Sequence, residues 1–363
     1  MTDGQTDVRT DVLIVGSGPT GLTLACDLAL RGVAVRVLDA RAAPHRESRG
    51  KGLTPGSLEA FARLGADGPM AAVGTRGVVL RKYFDGAPVQ DTPSGDGLLI
   101  GQWQVEEVLR ARLADLGVRV EYRARVTGIS QDAGGVGVRL ADGRLIRAGY
   151  VAGCDGGRST TRQLLGIPFE GHTEEADTMV LGDVTAAGLS RDHWHQWFTS
   201  DGGGILLCPI PGSEVFQLQA SPELDAQGRP IPPSLEGFQR LFDRHARVPG
   251  IRLADATWIS AWRVNVRMAA RIREGRVFLA GDAAHVHPIA GGLGMNTGVE
   301  DAVALGRTLA AALARPADPG VLDGYEAERL PAAAAVLADT AERHGRVLAA
   351  VREPGRGTEA GLD

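Results

Sequence analysis

Lysine is nearly missing from this chain: of 39 basic residues only Lys51 and Lys82 are lysines, and the other 37 are arginines. There are 44 acidic residues against them and the net charge is −5, which leaves no basic excess on which to build a nucleic-acid surface. Cysteine is scarce too. Cys26, Cys154 and Cys208 are odd in number and far apart, which excludes a disulfide framework or a CxxC redox or zinc pair and fits a reducing, cytoplasmic setting. The N-terminus, MTDGQTDVRTD, lacks the basic and apolar regions of a secretion signal. No long hydrophobic run survives either, because the apolar stretch from Val12 to Leu30 is broken by Gly16, Gly18, Pro19, Gly21 and Asp27. It reads as strand, turn and helix, and no membrane partner is expected.

What remains is an ordinary globular composition, 44% hydrophobic and 23% charged over 363 residues, enough for two domains. Residues 11–16, DVLIVG, are a short apolar β-branched run of the kind found in buried parallel strands. Helical periodicity over 19–31 and a second strand over 33–39 complete one βαβ unit. From Asp177 to Ser221 short strand-like runs alternate with turns, which predicts an antiparallel meander. A helix near 235–247, a buried strand in 275–282 and helices over 297–314 and 321–351 follow. No internal repeat is visible.

Three motifs carry chemistry. The first is Gly16-Ser17-Gly18-Pro19-Thr20-Gly21, followed 23 residues after Gly16 by Asp39. Glycines here tighten the turn, let the backbone approach a pyrophosphate and let helix pack on strand, while the helix N-terminus offers free amides to the phosphates. Asp39 is placed to accept hydrogen bonds from an adenosine ribose. This motif alone does not separate NAD from FAD. The second is Gly153-Cys154-Asp155-Gly156-Gly157-Arg158-Ser159, with Arg162 one helical turn on; it reads equally as a nucleotide contact or as an ordinary turn with a capping aspartate. The third is Gly281-Asp282-Ala283-Ala284-His285, running through His287-Pro288 to Gly291-Gly292-Leu293-Gly294-Met295-Asn296. A carboxylate at a strand end before a glycine-rich loop and a helix suits a polyol chain beside a planar ring. His285 and His287 have no third ligand nearby, so no metal is expected.

In this order and spacing the motifs resemble the class A FAD-dependent aromatic hydroxylases, the p-hydroxybenzoate hydroxylase-like family. More narrowly they resemble the branch acting on aromatic polyketides or on antibiotics such as rifampicin and tetracyclines. The resemblance runs from about residue 10 to 345. It implies an α/β fold, a Rossmann-like FAD-binding domain with an inserted antiparallel β-sheet substrate domain. The expected FAD-binding part is 1–75 with 100–172 and 260–345, the substrate part 76–99 with 173–259, and the tail 346–363. Many relatives carry a C-terminal thioredoxin-like domain, for which this chain is expected to be too short.

Residue by residue, the resemblance puts Gly16, Gly18, Pro19, Thr20 and Gly21 under the FAD pyrophosphate, and Asp39, Ala40 and Arg41 at the adenosine. Arg49 and Gln102 would reach the phosphates and the ribityl chain. Asp155 and Gly156 match a motif shared between FAD and NADPH, Gly281 and Asp282 the ribityl site, and Gly294, Met295 and Asn296 the flavin pyrimidine edge. Pro288, Gly291 and Gly292 would form the loop facing the flavin. Where the family has HPPAGGQGMN, this chain has Ile289 and Leu293 in place of the second proline and the glutamine.

The chemistry so implied belongs to the cofactor: NADPH or NADH reduces it, and one oxygen atom of O₂ goes to an electron-rich aromatic substrate. No protein general base is identifiable. With one dinucleotide fingerprint already assigned to FAD, NADPH would approach over Arg49, Arg158 and Arg162. The substrate is expected between the meander and the flavin, beside Trp197, Phe198, Phe216, Pro288 and Ile289, although each aromatic serves equally well as core. Between Asp201 and Ser221 there is no lysine or arginine, which favours an uncharged polycyclic phenol over a benzoate. Rival outcomes are Baeyer–Villiger insertion, epoxidation, antibiotic-inactivating oxidation or halogenation, and a flavin-binding protein without turnover. Monomer and homodimer both remain open.

Overall fold

Strand Thr10–Val15 sits at the centre of the first sheet, paired in parallel with Val35–Leu38 on one side and Leu145–Gly153 on the other. Val12, Leu13 and Ile14 are wholly buried, as expected of a parallel strand covered on both faces. Val120–Glu121 and Val277–Leu279 extend the sheet in parallel at either side, and a hairpin, Val126–Asp132 with Gly135–Leu140, lies against Leu145–Gly153. The structure, a computed structural model, describes residues 9–287, 292–315 and 320–352.

The helix after the first strand, Pro19–Leu30, starts with proline where a missing N–H costs nothing and stops before Gly32 in left-handed backbone. It packs against the 21-residue helix Gly294–Ala314, which begins three residues before the expected start at 297. Helix Gly320–Arg352 packs on that helix, and its Tyr325 is buried against strand Val277–Leu279, edge-on to Phe278 with its hydroxyl donating to the Leu279 carbonyl. Among the described residues no helix is long and apolar enough to cross a membrane.

The second sheet has eight strands in the order His285–Val286, Arg252–Ala269, Phe169–Ala187, Val215–Ala220, Gly204–Pro209, His193–Phe198, Val79–Phe84 and Ala87–Pro93. The last three strands of the expected meander do follow one another. The first does not: Phe169–Ala187 pairs with Val215–Ala220, and His193–Phe198 pairs in parallel with Val79–Phe84. Only alternation was visible in the sequence, and alternation carries no information about strand order. Phe169–Ala187 and Arg252–Ala269 also run unbroken through the expected domain limits at 172/173 and 259/260. Helix Leu235–His245 packs on one face of this sheet, and the segment 48–54 of the nucleotide half reaches the other.

Candidate active site

The three glycines of the first motif have three different surroundings. Gly16 has φ +106°, and a Cβ there would lie 2.3 Å from the Cys154 carbonyl oxygen. A Cβ on Gly21 would lie 2.1 Å from the Gly16 carbonyl oxygen, so this position lets helix and turn touch. Gly18 has nothing within 4 Å of an added Cβ. It is also the N-cap of Pro19–Leu30 and carries no side-chain cap, so the first amides of that helix are left to a ligand. An open, uncapped N-terminus is the cradle a pyrophosphate needs.

Asp39 closes one end of this cradle. Its Oδ2 accepts from the Ser17 amide (3.1 Å) and hydroxyl (2.6 Å), and its Oδ1 from the Arg41 amide (2.8 Å). Burial raises its pKa, but these donors outweigh burial and hold it below the ordinary value. Ala40 and Arg41 are exposed beside it. Asp155 is spoken for locally: it accepts from the Ser159 hydroxyl and from the amide and hydroxyl of Thr161. These bonds support the cap of helix Thr160–Leu164, whose N-cap is Ser159 with its hydroxyl accepting from the Arg162 amide; Gly156, with φ +79°, remains open.

The third motif meets the first through Thr20. A Cβ on Gly281 would approach the Thr20 hydroxyl to 2.5 Å, and one on Gly298 to 2.4 Å, so both glycines are needed to bring the turn and the two helices together. Asp282 stands exposed at this turn, yet in a recess whose walls push its carboxyl above the ordinary value, against the smaller pull of His285 and Arg49. Arg49 itself is exposed and paired with Glu47 at 2.6 Å. Behind the turn, Asp301 accepts from the Gly281 amide (3.0 Å), from His285 Nε2 (2.7 Å) and from Arg329 Nε (2.7 Å). This buried anchor escaped the sequence reading; its members lie on three separate segments.

Gly294, Met295 and Asn296 form the first turn of helix Gly294–Ala314, whose leading amides have no acceptor within the helix. The side chain of Asn296 is occupied: it accepts from the Thr54 amide (2.9 Å) and donates to the carbonyls of Gly52 (3.3 Å) and Gly292 (3.1 Å). Gln102 lies beside Gly50 and donates to Glu106 at 2.9 Å. Pro288, Ile289 and Gly291 lie outside the described residues.

The substrate aromatics divide by sheet face. Trp197, 1% exposed, stacks with both Tyr83 and His195, which also stack on each other, and meets Phe242 edge-on. Phe216 lies under the Arg191 guanidinium on that same face. Both belong to the core beneath helix Leu235–His245, away from the nucleotide half. Phe198 points to the other face, against Gly204. That other face carries Asp183, Gln217, Gln219 and Trp194, and it is not free of positive charge. Lys51, one of the two lysines, reaches it from strand Lys51–Leu53, lies over the Trp194 ring at 4.5 Å and donates to Gln217 Oε1. Burial lowers the Lys51 pKa. Arg162 also differs from expectation: it is buried and donates to the carbonyls of Ala283 (2.9 Å) and Gly157 (2.8 Å), leaving Arg49 and Arg158 as the exposed members of that set.

Asp183 is 1% exposed, and its Oδ2 accepts from the Ser48 amide at 2.8 Å. Burial raises its pKa to about 6, although the Ser48 amide and the Lys51 charge pull the other way. A carboxyl that binds its proton more tightly when folded costs stability as pH rises from its unfolded value, ~4, to its folded one. Asp183→Asn should therefore stabilise the fold above about pH 6, by up to about 3 kcal/mol, and have little effect below about pH 4. Thermal melts at both ends of that range check it; a stabilisation independent of pH would contradict the assignment.

Cradle, ribose acid and ribityl recess together fit FAD. The chain matches the FAD binding domain family over residues 9–340. It is 41% identical over 367 residues to a flavin-dependent monooxygenase of Mycobacteroides abscessus, covering 94% of this chain and 76% of that protein. It is 38% identical over 336 residues to a rifampicin monooxygenase of Streptomyces venezuelae, covering 91% of this chain and 70% of that one. The crystal structure of aklavinone-11 hydroxylase with FAD and aklavinone superposes with a TM-score of 0.83 at 29% identity, over 96% of this chain and 70% of that one. Fold, site and relatives define an FAD-dependent monooxygenase, an enzyme that incorporates one oxygen atom of O₂. The chain belongs to the FAD binding domain family.

Proposed function

We propose that this enzyme hydroxylates a polycyclic phenolic or polyketide-type aromatic compound, drawing electrons from NADPH or NADH. One observation carries the reading. The short segment 48–54 touches both halves of the site: Ser48 and Lys51 bond the sheet residues Asp183 and Gln217, and Thr54 bonds Asn296 at the start of helix Gly294–Ala314. A planar substrate against the polar sheet face thus lies next to the flavin-binding loop. FAD, when bound, supplies the oxygen activation. The protein binds and orients the ring, excludes water around it, and offers the positive end of helix Gly294–Ala314 to negative charge developing there.

Asp39, Asp282, Gln102 and the Met295 and Asn296 amides would hold FAD from adenosine to flavin, with Gly16, Gly18 and Gly21 beneath its phosphates. Arg49 and Arg158 would receive NADPH transiently, since the described residues contain no second dinucleotide turn. A substrate accelerates reduction only by its differential affinity for the reduction-competent arrangement. Reduction by NADPH should therefore rise at least about tenfold when a true substrate is bound, corresponding to ~1.4 kcal/mol of preference. Stopped-flow absorbance, with product mass measured alongside, tests this. Equal reduction rates with and without a compound that is nonetheless hydroxylated would remove the gating; NADPH consumption that never yields an oxygenated product would remove the hydroxylase reading.

A further inference from the structure

The sheet face toward the nucleotide half holds more unpaired polarity than a buried surface tolerates. Register sets Gln217 beside Asp183, and Gln219 beside Leu206, which in turn lies beside Gln196. Asp183, Gln196, Gln217 and Gln219 are each 5% exposed or less. Asp183 Oδ1, Gln196 Oε1 and Gln217 Nε2 have no hydrogen-bond partner, and neither has Trp194 Nε1 nearby. Each such atom costs about 1–3 kcal/mol, which apolar side chains of similar shape would not. A fold gains nothing from this cluster. A binding site does.

Lys51 completes it. The Gln217 amide oxygen accepts from both Lys51 Nζ and Gln219 Nε2, so that oxygen is used up and Gln217 Nε2 is left as an unused donor. Lys51, Gln217 Nε2 and Trp194 Nε1 therefore stand as donors on the sheet face that also carries two unused acceptors, Asp183 Oδ1 on the strand next to Gln217 and Gln196 Oε1 two strands to its other side. The indole of Trp194 adds a flat apolar wall under the ammonium. Charge, donors, acceptors and a flat wall are what an aromatic rim bearing adjacent oxygens requires.

We propose that Lys51, Gln217 and Asp183 bind two neighbouring oxygens on the rim of a polycyclic phenol. A polarised or anionic oxygen lies on Lys51 and Gln217 Nε2, and a hydroxyl donates to Asp183 Oδ1. The assignment rests on the substrate reading above and specifies how the substrate's edge is held. A methyl ether in the same place has neither a proton for Asp183 nor charge for Lys51, so the site discriminates phenol from ether. Buried waters on the unpaired atoms are the competing account, and they supply no such discrimination.

The test uses the FAD-loaded protein, titrated with 1,8-dihydroxyanthraquinone and with its dimethyl ether while flavin absorbance is followed. Wild type should bind the dihydroxy compound at least about tenfold more tightly, ~1.4 kcal/mol. Lys51→Met should lose about tenfold for that compound only, with ether affinity and FAD content unchanged. A purely structural lysine would move both ligands alike. Equal wild-type affinities, a parallel loss of both ligands in Lys51→Met, or no binding of either compound overturns the proposal. NADPH oxidation on the same samples separates the two readings: preferential binding without turnover removes the hydroxylase reading and leaves the recognition site standing.

Discussion

Gly18→Val should fold normally and lose FAD, whereas Gly16→Ala should retain little folded protein at all. The two positions are two residues apart but differ in backbone conformation and in what surrounds them. At Gly18 an added Cβ meets nothing within 4 Å, and the backbone is in the extended region with φ −76°. Valine is a poor helix cap, so the apoprotein should lose no more than about 1 kcal/mol. The side chain would instead fill the space required by the pyrophosphate, and affinity for FAD should fall at least about a hundredfold, ~2.7 kcal/mol. At Gly16 the backbone has φ +106° and the Cys154 carbonyl lies 2.3 Å from the added Cβ. Left-handed strain costs roughly 1–2 kcal/mol before the clash is counted. Relieving the clash means parting the strands Thr10–Val15 and Leu145–Gly153, which pair through Val15 and Gly153; the total should exceed about 3 kcal/mol. Denaturant unfolding of the apoproteins, with FAD titration by fluorescence, measures both. A Gly18→Val protein that stays yellow would show that the pyrophosphate lies elsewhere.

Removing the carboxylate behind the ribityl turn should be similarly severe. Asp301→Ala leaves Arg329 without its buried partner and the Gly281 amide and His285 Nε2 without an acceptor. Breaking a buried ion pair on one side typically costs about 3–5 kcal/mol. Burial alone would raise the Asp301 pKa, but His285 and Arg329 outweigh it and hold it below the ordinary value. For a carboxyl depressed by folding, the stabilisation is present above the unfolded value, near ~4, and lost as pH falls through the folded one. The gap between wild type and Asp301→Asn should therefore be widest near neutrality and close in acid below about pH 4. A gap that stays constant as the pH is taken well below ~4 would mean that shape, and not charge, is what Asp301 contributes. Flavin retention should fall along with stability, because Asp282 adjoins the amide that Asp301 holds.

Much of this enzyme was legible in its sequence, for a physical reason. The first strand, its helix, the glycine turn and the acid after the second strand interact over a few tens of residues, and glycine, proline and β-branched residues restrict the backbone locally wherever they stand. The family resemblance rested on the same short-range patterns, which is why the cofactor and the reaction class followed from them. Tertiary structure decided what depends on partners far along the chain. Alternation marked the strands of 177–221 but not that Phe169–Ala187 would lie beside Val215–Ala220, nor which face would turn to the cofactor. Trp197 and Phe216 read equally as substrate wall or as core in the sequence, and the helix Leu235–His245 covering their side decides for core. Arg162 looked like a surface cation until the Ala283 carbonyl, 121 residues away, was seen to accept from it. The absence of basic residues between 201 and 221 suggested an uncharged pocket, yet Lys51 arrives from 166 residues away to bond Gln217. A local pattern fixes the backbone, but the electrostatics of a site belong to whichever segments the fold brings together, and those segments carry no mark of one another in the sequence.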